Sequence, residues 1–516
     1  MGQVAAPALI GEQDTPPSRP PARKRQTTRR DITNILFITS EFSDLIKVGG
    51  LGDVSAALPR ALTPHHDIRV LIPGYRQILD SGIKITQLGK VAGYAGLPTC
   101  HLGRMDLDDG MIVYLILCPS LYERDGYPYG DNHGCDWSDN HLRFALLGHV
   151  AAEIAAQRTD ITWRPQLIHA NDWPSGLAPA YIAWRGLSVP SIFTIHNLMH
   201  HGLYGADNMP HLGIPAHAFA PDKIELHGQL SFLKAGIAYA SHITTVSKTY
   251  ARDITYPHSG CGLHDILARK SAQGLLSGFL NGIDESWEPY TDHHLLKDFN
   301  DWEKEGKALH ARYLAEKFEL DTDPGPLFAI VSRLVYQKGI DLTLQAADAI
   351  VAEGGKLIFF GRGEPELEAA VTALKERYPG RIAAHIGFNE RDARRIYAGS
   401  DFLLMPSRFE PCGLSQMYAQ RLGSLPVARN TGGLADTIED GVNGFLFNDQ
   451  SVADYLDAIR RALRTYRHPE LLSAMRHKAM VSPQYWRESV KPYDQLYKEL
   501  IKKTSSLATG FGSGRN

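Results

Sequence analysis

The chain has 516 residues, 43% apolar and 22% charged, an ordinary globular composition at a length that suits two large domains better than one core. A balance of 54 Lys and Arg against 57 Asp and Glu leaves a net charge of −3, which gives no electrostatic case for nucleic acid as the main partner. No uncharged apolar stretch of about 18 residues predicts a membrane span, and 5 cysteines without CxxC spacing argue against a zinc site or disulfide framework and fit a reducing cytoplasm.

Residues 1–31 carry Pro16, Pro17, Pro20, Pro21 and the basic run Arg23-Lys24-Arg25, and read as a disordered tail. They hold no apolar core of a secretion signal. Ala6 stands where a myristoylation signal needs Ser or Thr, and Glu12 and Asp14 weaken the alternative of a transit peptide.

From residue 32 short β-branched runs alternate with helical patterns, the signature of parallel sheets. The runs Ile35–Thr39, Ile68–Ile72, Met111–Cys118, Leu167–His169, Ser191–Ile195 and Ile243–Val246 read as strands. Phe144, Leu147, Val150, Ala151 and Ile154 mark one face of a helix after Asp139. Just past the first strand, Lys47-Val48-Gly49-Gly50-Leu51-Gly52-Asp53-Val54 opens a helix. Glycines such as Gly50 and Gly52 let a backbone approach a ligand closely, a helix N-terminus attracts phosphate, and Lys47 adds a full charge. The motif lacks the GK[ST] of a P-loop and the GxGxxG spacing, so the alternative is a tight turn with a solvated lysine. Asp106-Leu107-Asp108 spells a DxD known from metal-dependent sugar transferases, but Asp109-Gly110 and the strand that follows make it a hairpin turn. His196-Asn197 closes an apolar strand, where α/β ligand sites sit. His200 and His201 follow it without the Glu of HExxH or a nearby Cys, so no metal is expected.

A charged, strand-poor stretch near 291–320 separates the halves, and Asp321-Thr322-Asp323 beyond it is discounted as a second DxD before Pro324. The alternation then restarts with Leu327–Val331, Lys356–Gly361, Arg381–Ile386, Phe402–Met405 and Leu425–Ala428. Arg333 and Lys338 lie just past the first of these, as two fixed cations able to neutralise a leaving diphosphate or as solvated loop charges. Gly361-Arg362-Gly363 reads as a turn, since Glu366 replaces the third glycine of a dinucleotide fingerprint. Glu410 precedes Cys412-Gly413-Leu414, whose amides can hold sugar hydroxyls or simply cap a helix. Thr431-Gly432-Gly433, between strand and helix, is a second candidate phosphate turn. Trp486, Val490, Tyr493, Leu496, Tyr497 and Leu500 fall near helical spacing in a last helix. The expectation is two doubly wound α/β domains over 32–290 and 291–483 facing a cleft, a helix over 484–502 that packs on either domain, and a flexible tail over 503–516.

In this order the residues resemble the bacterial glycogen synthase and plant starch synthase family, over about 33–502. The most specific pieces are Lys47 to Val54, Asn171-Asp172-Trp173-Pro174, Phe193 to Leu198, Lys234-Ala235-Gly236-Ile237, Thr244 to Ser247, Leu280 to Asp284 and Ser407 to Leu414. The resemblance implies a GT-B fold of two Rossmann-like parallel-sheet domains. It implies retaining transfer from ADP-glucose to an α-1,4-glucan, with neither metal nor cofactor. By motif it places Lys47, Arg333 and Lys338 on the donor phosphates, Glu410 beside the glucose, and His196 near the glucose 6-hydroxyl. Asp172, Asn197 and Asn281 fall on the sugar and acceptor side. Tyr122 matches a family tyrosine in LYERDGYPYGD. Phe388 falls where adenine is stacked, and Thr431, Gly432 and Gly433 match the phosphate turn. Val48 replaces the usual Thr, Met199-His200-His201 replace Ala-Tyr-Gln, and Tyr418 stands where relatives outside the family carry a second Glu. Two rivals remain: a retaining GT-B enzyme with a small sugar acceptor, and an inactive glucan-binding homologue, against which stands the presence of Lys47, Arg333, Lys338 and Glu410.

Overall fold

A computed structural model describes residues 32–300 and 304–512. The first half holds β1 (Thr33–Ile38), β2 (His66–Pro73), β3 (Ile85–Val91), β4 (Cys100–Asp106), β5 (Ile112–Leu117), β6 (Leu167–Asn171), β7 (Ser191–Ile195), β8 (Leu203–Gly205), β9 (Glu225–Leu226), β10 (Gln229–Ser231), β11 (His242–Thr245) and β12 (Leu276–Gly278). Nine of them form one sheet, ordered β12-β11-β7-β6-β1-β2-β5-β4-β3, and β8-β10-β9 form a small separate one. The second half holds β13 (Leu327–Val331), β14 (Lys356–Gly361), β15 (Ile382–Ile386), β16 (Phe402–Met405), β17 (Leu425–Arg429) and β18 (Phe445–Phe447), ordered β15-β14-β13-β16-β17-β18. All pairs in this second sheet are parallel. Strands β6, β7 and β13 are buried along their whole length, which is why they read as unbroken apolar runs.

Both sheets change winding direction beside their first strand, between β1 and β6 and between β13 and β16. A crevice opens at such a switch, outside the carboxyl ends of the strands. The loops that matter therefore follow β1, β6 and β7 in one domain and β13 and β16 in the other.

The parallel reading missed one edge. Strands β3 and β4 pair antiparallel with each other, and β4 pairs antiparallel with β5. The β4–β5 connection is the turn read from Asp109-Gly110: the Gly110 amide donates to the Leu107 carbonyl at 2.8 Å, with Gly110 at φ +86°. Of the second DxD, Asp321 and Asp323 pair with Arg381 at 3.2 and 2.8 Å. The strand-poor stretch carries a helix, Lys304–Lys317, whose Lys307 ammonium donates to the carbonyls of Ala398 and Ser400 at 3.0 and 2.7 Å.

The last helix, Trp486–Gly512, docks on the first domain. His66 Nε2 lies 2.9 Å from Asp494 Oδ1, and His169 Nδ1 lies 2.7 Å from the Tyr497 hydroxyl. The helix runs on past 503, where the sequence reading ends it. Within it the Thr504 and Ser505 hydroxyls donate to the carbonyls of Leu500 and Ile501, four residues back, where the helix already occupies those carbonyls. The expectations for residues 1–31 and 513–516 lie outside the described residues.

Burial pushes the His169 imidazole down to about 3, so it is neutral, and its Nε2 lies 2.6 Å from the Thr194 hydroxyl. Tyr497→Phe strips its Nδ1 of a partner inside the core. Such a loss costs about 1–3 kcal/mol, read as a lower urea midpoint; a midpoint equal to the parent's would sink this account of the docking.

Candidate active site

The chain leaves β1 at Ile38 and turns through Glu41, a buried carboxylate. Its Oε2 accepts the amides of Val48 and Gly49 at 2.7 and 2.9 Å, and its Oε1 accepts the Tyr129 hydroxyl at 2.6 Å. These bonds hold the glycine turn just before the helix Gly50–Leu62. Composition offered no signal for Glu41; only its place two residues past Thr39 at the strand end hints at it. The finding also corrects the phosphate-cradle reading in part, because the amides of Val48 and Gly49 are already committed to a carboxylate. Nothing stands within 4 Å of a Cβ built on Gly49 or Gly50, whereas Gly52 is pressed to 3.2 Å from Lys47 Cγ. Lys47 Nζ pairs with Asp53 at 2.7 Å.

Strands β6 and β7 place the next residues side by side. Asp172 adopts φ +56° and turns its carboxylate back to accept the Trp173 amide at 2.9 Å and the Asn197 amide. Burial raises the Asp172 carboxyl to about 7. His196 Nε2 lies 3.0 Å from Asn171 Oδ1, and burial lowers the imidazole to about 3, so it is neutral near pH 7. The Asn197 side chain is partly used in its own turn, where Oδ1 accepts the Met199 amide at 3.1 Å.

Tyr122 departs from its expected place on a substrate. It is 1% exposed, and its hydroxyl donates to the Arg143 carbonyl at 2.5 Å. Leu121 and Pro128 carbonyls accept from the Arg143 guanidinium at 2.9 and 2.7 Å, so Tyr122 belongs to the packing around a buried arginine.

In the second domain the loops after β13 and β16 meet. Lys338 Nζ pairs with Glu410 Oε2 at 2.6 Å, and the Ser407 hydroxyl donates to the same oxygen at 3.0 Å. Among the described residues no hydrogen bond reaches Glu410 Oε1, which is left to accept from a ligand hydroxyl. Arg333 has no carboxylate partner among the described residues and only a 3.4 Å contact to Gln337. Arg408 is otherwise engaged: it pairs with Asp341 at 2.7 Å and lies over the Tyr336 ring at 3.4 Å. Phe388 follows β15 as a 67% exposed residue, open to stacking.

The Thr431 turn packs on the Glu410 segment. A Cβ on Gly432 would stand 2.0 Å from the Glu410 carbonyl oxygen, and one on Gly433 2.0 Å from that of Cys412. The Gly433 amide donates to the Glu410 carbonyl at 3.0 Å, so this glycine serves packing and its N–H is not available to phosphate. Gly413, at φ +69°, turns the chain toward the helix Ser415–Arg421, with Leu414 partly buried before it. The Cys412 thiol is pushed up to about 12 by burial and accepts the Asn281 amide. Asn281 is 3% exposed, with its side-chain oxygen unpartnered among the described residues.

The domains touch through the same segment. The Ser247 hydroxyl donates to the Pro411 carbonyl at 2.5 Å, and Asp436 accepts the Thr249 amide and hydroxyl at 3.0 and 2.7 Å. The fold thus joins Lys338, Glu410, Cys412, Gly432 and Gly433 in one domain, and Asn171, Asp172, His196 and Asn197 in the other. Among the described residues no group of three or more His, Cys, Asp or Glu is placed to hold a metal ion.

Comparison with known proteins agrees with this geometry. Residues 34–269 match the starch synthase catalytic domain family, and residues 315–479 match the glycosyl transferases group 1 family. The chain is 59% identical over 511 residues to a glycogen synthase of Pseudomonas fluorescens, covering 98% of this chain and 96% of that one. It is 58% identical over 488 residues to a glycogen synthase of Pseudomonas syringae pv. syringae, covering 94% and 100%. The catalytic domain of starch synthase IV from Arabidopsis thaliana, bound to ADP and acarbose, superposes with a TM-score of 0.81 at 28% identity, covering 91% of this chain and all of that one. Sucrose-phosphate synthase from Thermosynechococcus elongatus, at 15% identity and a TM-score of 0.57, shares the fold alone. Two doubly wound sheets facing one cleft, matched along nearly the whole chain, make this protein a hexosyltransferase of GT-B architecture that belongs to the glycogen synthase and starch synthase family.

Proposed function

We propose that this enzyme transfers glucose from ADP-glucose to the non-reducing end of an α-1,4-glucan with retention of configuration. The observation that carries the reading is the Lys338–Glu410 pair at the β13/β16 switch, with Arg333 on the same loop as Lys338 and without a carboxylate partner among the described residues. The second domain then takes the nucleotide sugar and the first the glucan. The exposed Phe388 ring supports an adenine base, as does the ADP in the starch synthase IV relative. Five cysteines unpaired in the described chain fit a reducing cytoplasm.

As the glycosidic bond to phosphate breaks, negative charge grows on the diphosphate and oxocarbenium character on the sugar. Arg333 and Lys338 stabilise the diphosphate, Lys47 approaches from the facing domain, and closure dries the cleft so that each contact counts for more. Glu410 Oε1 accepts a sugar hydroxyl while Oε2 stays bound to Lys338 and Ser407. The departing phosphate takes the proton of the attacking 4-hydroxyl on the same face. No second carboxylate is matched for a covalent intermediate, and a neutral His196 serves as a hydrogen-bond partner.

Labelled ADP-glucose and UDP-glucose, offered with glycogen or with maltose, decide donor and acceptor together. Label should enter polymer from ADP-glucose; label only in small saccharides would transfer the reading to a small-acceptor enzyme. Lys338→Ala should lower kcat about 10²–10³-fold with the circular dichroism spectrum retained, and a near-normal kcat would remove Lys338 from the chemistry. Glu41→Ala, which releases the glycine turn, should cost about 10²-fold in kcat/KM. Glu41→Gln keeps an acceptor for both amides and should retain more than about a tenth of the parent's value; equal losses in the two variants would mean the charge matters and the geometry does not.

A further inference from the structure

Asn171 ends β6, opposite Thr194 of β7, and is fully buried. Its amide nitrogen donates to the Ile38 carbonyl at 3.1 Å, with a second, longer contact to the His169 carbonyl at 3.4 Å. Both are acceptors, so the amide has one orientation. Flipping it would set oxygen against oxygen at these two places. The carboxamide oxygen is therefore the atom that faces His196 Nε2 at 3.0 Å. A carboxamide oxygen only accepts, so Nε2 must carry the proton. His196 is only partly buried, and among the described residues no protein group bonds its Nδ1. A neutral ring with its proton on Nε2 presents a bare lone pair at Nδ1.

We infer that Asn171 is a positioning residue that fixes His196 as the Nε2–H tautomer, so that Nδ1 accepts a hydrogen bond from a hydroxyl of the glucosyl group. The inference rests on the proposed glucosyl transfer, with His196 as the hydrogen-bond partner of the sugar near its 6-hydroxyl, as the family resemblance implies. It extends that proposal by stating the direction of the bond: the sugar donates and the ring accepts. The anchor is the backbone of β1, because the carbonyl that orients Asn171 belongs to Ile38, the last residue of that strand. The switch between β1 and β6 thus sets the chemistry of a ring on β7's loop through one amide.

The test has two parts. Ring-15N-labelled histidine in the full chain, with the His196 signal assigned by its loss in His196→Gln, reports the tautomer directly. The parent should show the proton on Nε2, and Asn171→Ala should show a mixture. Secondly, the parent should favour ADP-glucose over an ADP-sugar lacking the 6-hydroxyl by about tenfold or more in kcat/KM. In Asn171→Ala that preference should shrink to within about threefold, through kcat/KM for ADP-glucose alone. A parent ring protonated on Nδ1, or a variant that keeps both the tautomer and the preference, overturns the inference. If Asn171→Ala fails to fold, the parent spectrum still decides. A parent with the expected tautomer but no transfer from ADP-glucose would refute the proposed function while leaving the role of Asn171 in place.

Discussion

The active cleft is organised around a backbone contact that leaves no room for a side chain. Gly432 and Gly433 lie so close to the Glu410 and Cys412 carbonyls that a Cβ on either would sit 2.0 Å from an oxygen. Any other residue would push the helix start away from the segment that carries the carboxylate. The first domain adds a third side, through Ser247 on the Pro411 carbonyl and Thr249 on Asp436. The residues from Glu410 to Gly413 are therefore gripped by their own strand end, by the Thr431 turn and by the facing domain. A carboxylate buried in such a place needs its charge matched, and Lys338 and the Ser407 hydroxyl supply that.

The electrostatics follow the same logic. Lys47 and Lys338 are each held by a carboxylate, Asp53 and Glu410, at 2.7 and 2.6 Å. The Lys338 pair is nearly buried, whereas the Lys47 pair is half-exposed. Arg333 is the contrast: an exposed guanidinium whose one side-chain hydrogen bond among the described residues is to Gln337 and whose charge is felt by His200. In the proposed transfer, the diphosphate meets one cation without a carboxylate partner among the described residues and two ammonium groups that already have one. Glu41 does the corresponding work for backbone, taking the amides that the glycine turn would otherwise leave unpaired.

Much of this was legible in the sequence, and the exceptions have physical reasons. Strands buried on both faces, such as β6 and β13, announce themselves as apolar runs. The edge strand β3 and its neighbour β4 do not, because exposed and half-buried residues interrupt them and Gly89 and Gly103 break the pattern. Charged motif residues were legible by position but not by partner. Lys338 and Glu410 read as separate ligand contacts, yet they are 72 positions apart and touch. Lys234, an equally specific motif residue, turns out structural, donating to the Pro221 carbonyl at 2.7 Å. Glycines were the hardest to assign, since Gly50 faces open space and Gly433 faces a carbonyl while the letters are the same.

The position of Tyr418 shows how the linker and the site constrain each other. Both chain crossings between the domains run side by side: the Ile283 amide donates to the Gln484 carbonyl at 2.8 Å, and the Trp486 amide to the Ile283 carbonyl at 3.2 Å. Gly282 permits this, since a Cβ there would stand 2.4 Å from the Trp486 nitrogen. Beyond the crossing the chain is fastened to the second domain. Arg394 pairs with Asp292 at 2.7 Å and lies 3.8 Å over the Trp287 ring, which also stacks on Tyr418 at 3.6 Å and meets the Tyr397 ring edge-on at 6.0 Å. Any hinge between the domains must therefore lie at the crossing itself, before Trp287. Tyr418 stands in the helix that follows Glu410, so its ring ties the Glu410 segment to the fastened linker. Burial raises its phenol well above the ordinary range, and Asp53 and Asp284 add to the effect. A glutamate in that place would be buried beside two carboxylates without the stacking. The aromatic residue keeps the stack on Trp287 and adds no charge beside Asp53 and Asp284.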